Sequence, residues 1–263
     1  GAATMTPSSR RPLVAGNWKM HATVPDALNL AAAIRQRLPP EPVAEVVLLP
    51  PYTAVWPVGQ LLLEDPRLAV GAQDCYFEPE GAFTGQVSAA MLRGSCELVL
   101  VGHSERRRIF GDSDEVVRRK LEAGLAAGLT VLLAVGETGE ERQAGSTEEV
   151  LVSQITAGLG GLAVENLQRC LLAYEPVWAI GAGKTASLEE IAETVGLIRR
   201  ALDRVAAGLG DGFQVLYGGS VTGASAPEIL GLEQVDGALV GGASLDADEF
   251  CAIVAAADGG RPG

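Results

Sequence analysis

A carboxylate, an imidazole and an ammonium, each placed just after a short apolar run, are the side chains in this sequence best suited to chemistry. Asn17-Trp18-Lys19-Met20 sets an amide and a cation two residues apart, on one side of an extended strand, where the ammonium suits an anionic ligand. Gly102-His103-Ser104-Glu105-Arg106-Arg107 reads as a strand end running into a capped short helix, with His103 at the helix N-terminus. The positive end of the helix dipole and a nearby Lys19 both disfavour imidazolium, so His103 is expected to stay neutral and donate a hydrogen bond to a developing oxyanion. His21, the second histidine, reads as structural or exposed.

In Tyr174-Glu175-Pro176 a carboxylate closes a strand, and a small, apolar, glycine-containing segment follows it through Gly181 to Ala186. That arrangement describes a base under a movable lid, because excluding water strengthens a carboxylate that must take a proton from carbon. Paired glycines in Tyr217-Gly218-Gly219-Ser220 and Gly241-Gly242-Ala243-Ser244 let backbone amides approach a ligand, and a phosphate grip is their expected use. Gly181-Ala182-Gly183-Lys184-Thr185 looks like part of a nucleotide phosphate loop, but the required leading glycine is Trp178, so ATP binding is not supported.

The elements that must position these groups alternate. Apolar runs of four to six residues begin near Leu13, Val46, Leu68, Leu98, Thr130, Leu171, Gln214 and Gly237, and read as buried strands. Helical periodicity fills the longer stretches between them, as at 25–38, 114–127, 147–159, 188–207 and 248–257. Leu13 to Gly237 spans 224 residues, or 32 for each of seven repeats, enough for a strand, a helix and two connections. Such alternation implies a parallel sheet covered by helices, either an eight-stranded barrel or an open doubly wound sheet. Both put the ligand at the carboxyl ends of the strands, where the polar motifs fall.

With 263 residues, 48% hydrophobic and 20% charged, the chain can bury a sizeable core without disulfides or metals. A net charge of −13 argues against nucleic-acid and anionic-membrane partners. It also repels a phosphorylated ligand at long range, although screening beyond about 8 Å lets Lys19 and oriented amides dominate locally. Cys75, Cys96, Cys170 and Cys251 form no CxxC pair and have two histidines to draw on, so no metal site is expected. No apolar run reaches transmembrane length, and the chain reads as soluble and cytoplasmic. Residues 1–12 read as an expression scar and flexible leader, 13–258 as a single domain and 259–263 as a flexible tail.

The motifs at 17–20, 102–107, 174–181, 217–220 and 239–245 together closely resemble the triosephosphate isomerase family, in order and spacing over nearly the whole chain. The resemblance implies a single-domain (β/α)8 TIM barrel and interconversion of dihydroxyacetone phosphate and glyceraldehyde 3-phosphate through an enediolate, without a cofactor. It implies that Glu175 moves the proton, His103 polarises the carbonyl, and Lys19 with Asn17 stabilises the oxyanion, with Glu105 supporting Lys19. Backbone amides at Gly181, Ser220, Gly241 and Gly242 would hold the phosphate. Gly81-Ala82-Phe83-Thr84-Gly85 resembles the family's projecting loop, whose threonine, here Thr84, reaches the neighbouring subunit's site in a homodimer. Four positions depart from the pattern: His21 for asparagine, Gln86 for glutamate, Ala134 for a common cysteine and Ala182 for threonine. They also admit a relative acting on a four-carbon ketose phosphate such as erythrulose phosphate. A catalytically silent phosphate-binding barrel and a Schiff-base aldolase using Lys19 are the readings from other classes.

Overall fold

The computed structural model describes residues 10–179 and 185–259. Eight parallel strands, β1 (Leu13–Asn17), β2 (Glu45–Leu49), β3 (Leu68–Ala72), β4 (Leu98–Val101), β5 (Thr130–Val135), β6 (Cys170–Tyr174), β7 (Val215–Tyr217) and β8 (Gly237–Val240), pair in sequence order. β8 returns to β1, with Ala15 opposite Leu239, so the sheet closes into a barrel and the open doubly wound alternative is excluded. The expected strand starts agree with the structure to within one residue.

Period-two alternation explains why these strands read as continuous apolar runs: both faces are buried. Leu13, Ala15, Val47, Leu49, Leu98, Leu100, Leu132, Ala134, Leu171, Ala173, Leu216 and Leu239 form one cluster inside the barrel. The alternate residues, such as Val14, Val46, Val99 and Leu172, belong to a second cluster under the helices. Truncating a fully buried member such as Leu132 to alanine removes packing worth about 2–5 kcal/mol. Ala134, one of the four departures, lies in the inner cluster, with no solvent exposure.

The long helices follow from caps and amphipathic spacing. Val24–Arg37 starts on a Thr23–Asp26 capping box, and Leu188–Val205 on Ser187–Glu190. Asp114–Ala126, Thr147–Leu159 and Ala247–Gly259 also match the periodic stretches to within two residues. Helix Tyr52–Leu62 was not legible from periodicity, since it lacks a side-chain cap and carries Pro57 in its interior.

Candidate active site

The inward alternation of two strands delivers two of the chemical groups. In β1, Leu13 and Ala15 point into the barrel, and Asn17 continues that face at the carboxyl end. In β6, Leu171 and Ala173 do the same, and Glu175 stands at the next inward position, 2% exposed. Its backbone N–H donates to the Val135 carbonyl at 2.8 Å, which fixes the carboxylate's root to β5.

Beyond β4 the chain turns through Gly102 at φ 74°, a backbone region that favours glycine, and His103 caps helix Ser104–Phe110. The Glu105 backbone N–H donates to His103 Nδ1 at 3.2 Å. An amide is an obligatory donor, so Nδ1 is the bare nitrogen and the ring's proton sits on Nε2. Nε2 lies 3.0 Å from Glu175 Oε1. Ser104 also holds the Glu175 carboxylate, its N–H donating to Oε2 at 2.8 Å and its hydroxyl to Oε1 at 3.2 Å.

His103 stands at the helix N-terminus as expected from sequence, but the surroundings of its ring differ from that expectation. Lys19 is occupied by Glu105, Nζ to Oε1 at 2.6 Å, and two carboxylates rather than a free cation flank the ring. Burial pushes the Glu105 carboxyl up, yet the Lys19 hydrogen bond and the neighbouring positive charges outweigh it and hold the group below its ordinary range.

Lys19 adopts φ 53°, a left-handed conformation uncommon outside glycine and costing about 1–3 kcal/mol. Two amides sustain it: Asn17 Oδ1 accepts the Lys19 N–H at 3.0 Å, and Gln73 Nε2 donates to the Lys19 carbonyl at 2.8 Å and to Leu49's at 2.9 Å. Gln73 carried no sequence signal, and Ser104, though inside the 102–107 motif, was given no role, because each acts through a contact between segments far apart in the chain.

Asn17, Lys19, His103 and Glu175 share one cavity of about 270 Å³ with Ser220, Gly241 and Gly242. The glycine turns have unequal causes. A Cβ on Gly219 would fall 2.2 Å from the Tyr217 hydroxyl, so packing within the protein already disfavours one there, and one on Gly218 would sit tightly, 3.0 Å from Glu175 Cγ. At Gly242 a Cβ would meet nothing within 4 Å, which leaves its surface open to the cavity. The 3-10 turn Gly242–Leu245 begins there, and the first amides of such a turn have no internal partner. Gly181 and Ala182 lie outside the described residues.

A second cavity of about 280 Å³ opens beside Lys19 and His103 and is lined by Met20, Tyr52, Gln86 and Phe110. Thr84 is exposed at the tip of its loop. That loop is braced by ring packing of Tyr76 on Phe77 at 4.3 Å and on Phe83 at 4.8 Å. A larger cavity of about 490 Å³ lies around the amino-terminal ends of β2, β3 and β4, away from this chemistry. There Arg67 is fully engaged by Asp65 and by three backbone carbonyls. Among the described residues no cluster of metal-ligating side chains occurs, and no helix is long and apolar enough to cross a membrane. His21 is exposed.

The chemistry open to this site is proton transfer at a carbon next to a carbonyl: a buried carboxylate, a neutral N–H donor beside it, a paired cation and open amides for an anion. Comparisons with known proteins agree. The sequence matches the family described as triosephosphate isomerase over residues 12–257. It is 49% identical over 251 residues to the triosephosphate isomerase of Ectopseudomonas mendocina, covering 94% of this chain and 99% of that one. It is 45% identical over 247 residues to that of Roseiflexus sp. strain RS-1, covering 93% and 97%. The crystal structure of triosephosphate isomerase from Bartonella henselae superposes with a TM-score of 0.85 at 35% identity, covering 94% of this chain and 98% of that one.

Proposed function

The chain belongs to the triosephosphate isomerase family and interconverts dihydroxyacetone phosphate and glyceraldehyde 3-phosphate; from that premise we propose that Glu175 is the base carrying the proton between the two carbons. Glu175 takes a proton from C1 of dihydroxyacetone phosphate and returns it to C2. The hydroxyl hydrogen passes from the oxygen on C1 to that on C2, with His103 as hydrogen-bonding partner. The Nε2–H that now faces Glu175 at 3.0 Å is the donor for the enediolate oxygen. Lys19, held over the cavity by Asn17, Gln73 and Glu105, supplies the positive charge that balances the oxyanion. Ser220, Gly241 and Gly242 offer backbone amides to the phosphate, and Gly181 is the further donor that the family resemblance assigns.

The observation that carries this reading is a carboxylate 2% exposed, 3.0 Å from His103 Nε2, in the cavity that Lys19 and both glycine turns share. The readings as a four-carbon isomerase or a silent barrel are not favoured by the relatives. A Schiff-base aldolase is opposed by the 2.6 Å ion pair, which commits the Lys19 amine to a carboxylate instead of leaving it free to attack a carbonyl.

Glu175→Gln is the direct test. Turnover of glyceraldehyde 3-phosphate is expected to fall by at least about 100-fold while phosphate-ligand affinity survives. Turnover close to that of the unmodified chain, on this substrate or on erythrulose phosphate, would refute the assignment of the base.

The second cavity and the apolar side chains near it support a homodimer in which Thr84 of each copy enters the cavity beside the other's Lys19. Met20 is 94% and Phe110 64% exposed, more apolar surface than a lone subunit needs to present there. Cys75, Cys96, Cys170 and Cys251 are all unpaired, which supports a reducing, cytoplasmic setting.

A further inference from the structure

Behind the base, on the side away from the cavity, lies a contact that neither the sequence motifs nor the mechanism uses. Gly136 follows β5 directly, and a Cβ there would fall 1.8 Å from the Glu175 carbonyl oxygen. The two backbones touch with no side chain between them, so any movement of Gly136 is passed to the base. Glu175 N–H to the Val135 carbonyl, at 2.8 Å, ties the same two segments one residue earlier. Past that bond the Gly136 peptide groups are served by a side chain. Gln154, on helix Thr147–Leu159, accepts the Gly136 N–H on Oε1 at 2.8 Å and donates from Nε2 to the Gly136 carbonyl at 3.3 Å. One amide thus reproduces what an adjoining strand would provide, and holds one residue through both of its backbone polar groups.

The next residue, Glu137, is fully buried, and its Oε1 accepts the Trp178 indole N–H at 2.9 Å and the Tyr174 hydroxyl at 3.1 Å. Tyr174 and Trp178 flank Glu175 in sequence. The Gly136–Glu137 unit therefore grips the segment of the base at three points; Arg142 holds its Glu137 end, Nη1 to Oε1 at 3.1 Å, and Gln154 fixes its Gly136 end, the one in contact with the Glu175 backbone. We propose that Gln154 is a positioning residue for Glu175, acting through the Gly136 peptide without touching substrate.

This inference rests on Glu175 being the base. Gln154→Met keeps the length and bulk of the side chain and removes both hydrogen bonds. It is expected to lower kcat about 10-fold, short of the ~100-fold that a 1 Å misplacement of a catalytic group can cost, with KM changed less than about twofold. Two ligands separate positioning from general loosening. Affinity for 2-phosphoglycolate, whose carboxylate mimics the enediolate, should fall in parallel with kcat. Affinity for glycerol 3-phosphate, which shares the phosphate but not that charge, should stay within about twofold.

Gln154→Glu keeps the acceptor for the Gly136 N–H and donates to its carbonyl only when protonated, so its activity relative to the unmodified chain should rise as pH falls. This second variant carries the test should the methionine chain not fold. An unchanged kcat in both variants, or equal losses of affinity for the two ligands, overturns the proposal. Glu175→Gln assayed alongside distinguishes the failures: if it turns over normally the base assignment is wrong, and if it is inactive while Gln154→Met is not, only the positioning role falls.

Discussion

Lys120→Met removes the centre of a buried charge cluster, and the outcome can be worked from the geometry. Lys120 is 2% exposed, and its Nζ donates to Asp74 Oδ1 and Oδ2 at 2.8 and 2.9 Å and to Asp112 Oδ2 at 2.5 Å. Arg106 Nε adds 3.2 Å to Asp74 and 3.3 Å to Asp112, so two cations serve two carboxylates. Methionine would leave both carboxylates sharing one guanidinium. Deleting one partner of a buried ion pair costs about 3–5 kcal/mol, because the orphaned charge stays desolvated.

The loss should depend on pH. Burial already lifts Asp74 above its ordinary 3.8 despite Lys120 and Arg106, and losing Lys120 lifts it further. A carboxyl with its folded pKa above its unfolded one binds more protons folded than unfolded between those values. Its folded state therefore loses stability as pH rises through that window, by about 1.4 kcal/mol per unit. The variant should accordingly be closer to the unmodified chain at pH 5 than at pH 8. Urea unfolding at both values, at one fixed protein concentration, measures this. Adding Asp74→Asn to the variant should recover about 1–3 kcal/mol at pH 8 by removing the orphaned charge. A deficit below about 1 kcal/mol at pH 8, or equal deficits at the two pH values, would refute the reasoning.

Asp65→Asn tests the opposite sign. The bidentate Arg67 contact, at 2.8 and 2.6 Å, holds the Asp65 carboxyl below its ordinary value, so its contribution is complete above 3.8 and disappears as pH falls through the depressed folded value. The variant should be about 0.5–1 kcal/mol less stable at pH 7, with the gap closing in acid; a gap that persists there would show another cause. Light scattering tests the dimer. The chain should run at twice 27.2 kDa, and Phe83→Asp should shift it toward the single-chain mass, whereas an unmodified chain already at 27.2 kDa would dismiss the pairing.

Particular residues show where legibility ended. His103 was readable because a strand, a turn and a cap follow one another locally, and the structure places it as the cap of Ser104–Phe110. The ring's contacts were not readable, since its Nδ1 accepts a backbone N–H and Lys19 is committed to a carboxylate 86 residues away. Gly218 and Gly219 were read as opening backbone amides to a ligand, but at Gly219 the side chain of Tyr217 within the protein already leaves no room for a Cβ.

What the sequence determined by itself was the alternation of strands and helices and the polar groups that follow the strands. Apolar periodicity and strand-end motifs are local signals, and eight strands 32 residues apart leave few ways to fold. Tertiary structure alone decided how those groups are held. Ser104 on Glu175, Gln73 on the strained Lys19, Gln154 behind Gly136 and Lys120 among its carboxylates all join segments distant in sequence. A hydrogen bond depends on where two chains meet in space, and no spacing along one chain encodes that until the barrel closes.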